Sequence, residues 1–118
     1  MKYSVTVVGM GEMVKDLIEE NMLILFNENA PDELAEISVL HTIDKMKADV
    51  EIGDTIVIGN KKFTVTAVGD EANGTLKELG HCTFKFKNFN EKELPGVIIL
   101  EGKHNIEDIK IGDIISIY

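Results

Sequence analysis

Three histidines and one cysteine are the side chains best suited to chemistry in this chain. His41 stands in "ISVLHTID", where Ile37, Val39, His41 and Ile43 alternate with Ser38, Leu40 and Thr42 as along a strand. Two arrangements fit it. One is a buried ring satisfied by a backbone carbonyl, which the pattern alone favours because nothing nearby resembles an aspartate-oriented triad. The other is a neutral imidazole at the rim of the fold, its lone pair free to act as a nucleophile. His81 follows "KELG", so a helix-like segment ends at Gly80 and the ring projects beside that turn, as a helper or as a strand-end polar group. Cys82 shares a face with Phe84 and Phe86 and reads as core, not as a reactive thiol. His104, in "GKHNIED", reads as a solvated loop residue. These groups make no zinc signature, which needs about four clustered ligands.

A second chemical possibility is Gly9-x-Gly11, in "YSVTVVGMGEMVKDLIEEN". It follows an apolar strand pattern and precedes a helix-like segment, as in a dinucleotide-binding fold. Val14 occupies the third glycine position, where a side chain would hold helix and strand apart. The pair therefore reads as a strand ending in a turn, and a nucleotide-dependent oxidoreductase ranks last among the functions considered. Direct use of ATP is disfavoured too, because the chain lacks a P-loop.

The elements that position these groups are those of one small domain. At 118 residues and 44% apolar, the chain can bury a core without staples. A formal charge of −9 opposes nucleic acid and anionic membranes and suits a basic protein partner. A lone cysteine excludes an internal disulfide and suits a reducing compartment. No apolar run approaches the roughly 20 residues needed to span a bilayer, so a cytoplasmic protein without membrane insertion is expected.

The chain also reads as two related halves, 2–58 and 62–117. "KYSVTVVG" at 2–9 lies over "KFTVTAVG" at 62–69, an offset of 60 that also sets Phe26 over Phe86. After a one-residue slip, "DVEIGDTIVI" lies over "DIKIGDIISI". On this alignment His41 stands over Glu101, His81 over Asn21 and His104 over Asp44, and the Gly-x-Gly pair has no counterpart. Each half reads as strand (2–9 or 62–69), a helical or irregular link (12–20 or 71–79), strand (22–26 or 81–87), a turn, strand (36–43 or 96–101) and strand (54–58 or 113–117). The expected fold is mainly β: a small closed or nearly closed barrel built from two internally repeated halves, with one or two short helices. "GNKK" at 59–62 reads as the hairpin between the halves, and Asp54 and Asp113 in the two "IGD" triplets as turn-formers.

At "MLILFNENAPDELAEISVLH", "VTAVGDEANGTLKELGHCTFKF" and "LPG", the chain resembles the glucitol/sorbitol-specific IIA component of the bacterial phosphoenolpyruvate-dependent sugar phosphotransferase system. The resemblance implies a single IIA domain over 1–118, a cytoplasmic phosphoryl carrier. Its histidine would accept phosphate from HPr and pass it to the IIB domain of a glucitol/sorbitol transporter. His41 aligns with that histidine, and His81 matches a family position as a possible helper. No cofactor or metal is implied. Such a nucleophile is expected within reach of its donor, in an apolar patch rimmed by acids such as Asp32, Glu33 and Glu36. The competing expectation is a non-catalytic β-barrel binding or regulatory module with a structural His41.

Overall fold

The computed structural model describes residues 1–86 and 94–118. Eight short strands, in which apolar and polar residues alternate, turn one face inward: β1 (Tyr3–Met10), β2 (Met22–Asn27), β3 (Val39–His41), β4 (Thr55–Ile58), β5 (Lys61–Val68), β6 (Cys82–Phe86), β7 (Val97–Glu101) and β8 (Ile114–Ile117). They close into a barrel in the order β1-β3-β2-β6-β7-β5-β4-β8, leaving no open sheet edge among them. Tyr3, Val5, Val7, Phe63, Val65, Phe84 and Ile115 are among the residues filling its core. Complete burial of such an aliphatic or aromatic side chain is worth about 1.5–3 kcal/mol. Met46, Val50, Ile106 and Ile109 join that core from the segments that precede β4 and β8.

Three short helices are described, α1 (Val14–Glu19), α2 (Asp32–Ala35) and α3 (Ala72–Leu79), where one or two were expected. The extra one is α2, a single turn begun after Pro31 with Asp32 and Glu33 in its first turn, where acids favour the helix N-terminus. It shortens the expected strand 36–43 to 39–41. Position 87, at the end of the expected strand 81–87, lies outside the described residues. The hairpin at Gly59-Asn60 joins β4 to β5, and Asp54 and Asp113 accept hydrogen bonds from Glu51 N and Lys110 N in their turns.

Strand pairing relates the halves by a register different from the sequence alignment. Val7 faces His41 as Val65 faces Leu100, and Gly9 faces Leu40 as Ala67 faces Ile99, with a bulge between the two pairs in each half. The parallel pairs Phe26–Leu40 and Asn27–His41 correspond to Lys85–Ile99 and Phe86–Leu100. The spacing is thus 58 residues from β1 to β5 and 59 from β2 and β3 to β6 and β7. The gapless offset of 60 is corrected, and the counterpart of His41 is Leu100 instead of Glu101. Gly11, not Gly9, answers Gly69: their amides bond to the carbonyls of Ser38 and Val97. A Cβ on Gly11 would lie 2.2 Å from the Ala35 and Glu36 oxygens, and one on Gly69 2.1 Å from that of Leu94. Close backbone approach explains the second glycine of the pair.

Candidate functional site

β3 places His41. Strand alternation turns Val39 and His41 inward and Leu40 outward, and His41 pairs with Val7 on one side and Asn27 on the other. Its side chain is 0% exposed. Nδ1 lies 2.8 Å from the Thr42 carbonyl oxygen and Nε2 2.8 Å from that of Gly80, while the ring meets Tyr3 edge-on at a centroid distance of 6.3 Å. The expected open position at the rim is corrected: His41 is buried and carbonyl-bonded, because inward alternation buries the ring and the end of α3 caps its Nε2.

Both ring nitrogens donate together only in the imidazolium; a neutral ring donates once and turns a lone pair towards the other carbonyl. The two contacts differ in kind. Thr42 is the next residue in the chain, whereas Gly80 reaches His41 from the turn between α3 and β6. Only the Nε2 contact therefore depends on that separate turn.

The turn is built locally. Gly80 takes φ +61°, its amide bonds to Leu76 O and that of His81 to Thr75 O, closing α3 as a left-handed cap. The Thr75 hydroxyl donates to His81 O over 2.7 Å. A Cβ on Gly80 would fall 1.9 Å from Asn27 Oδ1 and 2.6 Å from His41 Cε1, so no side chain fits there. The carboxamide and the imidazole are therefore separated by no more than those two distances together.

His81 is half-buried on the same turn. Its Nδ1 lies 3.0 Å from Leu25 O, and its ring is tilted over Phe26 at 4.8 Å. Donation from Nδ1–H to that carbonyl leaves the Nε2 lone pair without a hydrogen-bond partner among the described residues. The fold thus brings His41 and His81 to one turn. His104 is not brought to it: it is exposed and meets the edge of Phe63. Cys82 is buried, and burial pushes its thiol well above the usual range, which suits a core residue. Tyr3 is likewise pushed upward, chiefly by burial, then by Cys82 and Asp44.

Asn27 was not singled out in the sequence, although a polar residue ending the apolar run "LILF" was a visible signal. It is 8% exposed, and its Oδ1 has no hydrogen-bond partner among the described residues. Asp32 and Glu36, with Glu12, Met10 and Leu40, line a shallow outer hollow of about 490 Å³. Leu40 neighbours His41 but faces outward, so these acids lie behind the ring instead of around it. No group of three or more His, Cys, Asp or Glu among the described residues is arranged to hold a metal, and no described helix is long and apolar enough to cross a membrane.

Residues 2–116 match the family described as "PTS system glucitol/sorbitol-specific IIA component". The chain is 36% identical over 100 residues to the "PTS system glucitol/sorbitol-specific EIIA component" of Shigella flexneri and to that of Escherichia coli (strain K12). Each match covers 85% of this chain and 81% of the relative. The fold is similar to the crystal structure of a PTS system IIA component from Enterococcus faecalis V583, with TM-score 0.86, 30% identity and coverage of 97% of this chain and 98% of that one.

Proposed function

We propose, on the premise that this chain belongs to the family of glucitol/sorbitol-specific IIA components of the phosphotransferase system, that residues 1–118 act as one cytoplasmic phosphoryl-carrier domain. In this reading His41 accepts a phosphoryl group from HPr and passes it to the IIB domain of a glucitol/sorbitol transporter. The observation that carries it is that His41 Nε2 is covered by Gly80 O, a contact from a separate turn, while Nδ1 keeps its own carbonyl.

Phosphoryl exchange between two imidazoles joins chemically similar nitrogens, so the protein supplies position and charge stabilisation more than driving force. As the α3–β6 turn lifts, the neutral His41 ring is held by Nδ1–H on Thr42 and its Nε2 lone pair attacks phosphorus. The N–P electron pair stays on the donor ring as the new N–P bond forms. Transfer to the IIB domain reverses these roles.

The second reading, a non-catalytic binding or regulatory barrel, draws on the burial of His41. One experiment separates the two. Incubation with phosphoenolpyruvate, the general enzyme of the system and HPr is expected to add one acid-labile phosphate to the wild-type chain. His41→Leu is expected to remain folded, since Leu100 fills the corresponding position, and to take up none. An unlabelled wild-type chain would overturn the carrier reading and leave the binding module. A labelled His41→Leu would move the acceptor elsewhere, first to His81.

A further inference from the structure

We infer that Asn27 is a catalytic residue of this site, its carboxamide donating a hydrogen bond to the phosphoryl group carried by His41; the inference rests on the phosphocarrier reading above. Asn27 faces His41 across the parallel β2–β3 ladder, and both side chains crowd the position that a Cβ on Gly80 would take. It is more than nine-tenths buried, yet its Oδ1 has no partner among the described residues. Leaving a buried amide oxygen unpaired is costly, and native proteins seldom do so without a use for the group.

The other half of the barrel shows that the fold does not need this polar pair. Asn27 and His41 correspond to Phe86 and Leu100, which pair in the same parallel register and are both buried. An apolar pair closes the barrel there; a polar pair with an unsatisfied atom occupies its counterpart.

The transferring group explains that difference. Its three oxygens spread negative charge in the transition state and require donors. The chain contains no arginine, the side chain that would otherwise meet them in bidentate fashion. When the α3–β6 turn withdraws from Nε2, the phosphoryl group enters the space beside Asn27 that Gly80 had occupied. Rotation about Cβ–Cγ exchanges the orphan oxygen for the amide N–H₂ at no cost in shape. The hydrogen bond strengthens as charge develops on the oxygen; no proton crosses with the phosphoryl group, and the N–P bond broken on the donor is the one formed on His41.

The test compares the wild-type chain, Asn27→Leu and Asn27→Asp for thermal midpoint and for the rate of phosphoryl uptake at varied phosphorylated HPr. Asn27→Leu is expected to melt at or above the wild-type temperature, because it removes an unpaired buried atom. Its saturated uptake rate is expected to fall about 10- to 100-fold with the half-saturating HPr concentration unchanged, since Asn27 lies inside the barrel. Asn27→Asp, if folded, should be slower still, as a carboxylate repels the incoming oxygens. A folded Asn27→Leu that takes up phosphate at the wild-type rate would overturn the assignment. So would an Asn27→Leu that fails to fold, because Asn27 would then be structural. If the wild-type chain takes up no phosphate, the phosphocarrier reading itself fails; wild-type uptake with unaffected variants isolates the failure to Asn27.

Discussion

At the scale of single residues, the candidate site holds two histidines fixed in opposite ways. His41 has both nitrogens on carbonyls and no exposed surface; His81 has one nitrogen on Leu25 O and a half-exposed ring over Phe26. Exposure alone would make His81 the acceptor, whereas the family resemblance points to His41. His81→Ala decides between acceptor and helper. A helper's loss is expected to slow uptake by about 10²-fold or less, the loss of one polar contact, while one phosphate per chain is still reached at completion. Complete loss of labelling in the folded variant would assign the nucleophile to His81. Mass spectrometry over a time course reads both outcomes.

At the scale of elements, the α3–β6 turn is the part that meets both histidines of the candidate site. It carries Gly80 O onto His41, sets His81 in place and is closed by the left-handed Gly80. Gly80→Ala is expected to destabilise the protein by about 2–5 kcal/mol, from the left-handed backbone and from the collision with Asn27 and His41. Gly74→Ala, in α3 with open space around the added methyl, is expected to stabilise it by about 0.5–1 kcal/mol. Urea unfolding of the two variants checks the contrast, and equal effects would refute the crowding at Gly80.

At the scale of the whole molecule, lysines tie distant segments together in a chain whose net charge is −9. Lys61, which opens β5, bonds both Asp108 and the Asn105 carbonyl in the segment before β8. The hydrogen bond and charge of Lys61 hold the Asp108 carboxyl below its ordinary range. A carboxyl with a lowered folded-state pKa adds stability above its unfolded pKa of about 3.9, and that contribution disappears as pH falls through the lower folded value. Asp108 is exposed, so solvent screens the pair and its effect is small. Wild type is expected to lose slightly more stability than Lys61→Met between pH 7 and about pH 3, and urea midpoints at the two pH values measure the difference.

Much of the architecture was legible because it is local. Alternating Val, Ile, Thr and Phe marked the strands, "GNKK" the central hairpin, Asp54 and Asp113 their turns, and the face shared by Cys82, Phe84 and Phe86 a core strand. Single-turn α2 was hidden in a segment that reads equally as a turn. Register was illegible for a physical reason: sliding "KYSVTVVG" by two residues along "KFTVTAVG" preserves every inward and outward position, so 60 and 58 look alike until β3 and β7 pair with those strands. That pairing transferred the shared glycine role from Gly9 to Gly11 and matched His41 with Leu100. The type and order of the chemical residues were determined by the sequence alone. Burial of His41, the Gly80 carbonyl on its Nε2 and the Asn27 Oδ1 left without a partner among the described residues were decided by tertiary structure, because each arises where β2, β3 and the α3–β6 turn meet, from residues far apart in the chain.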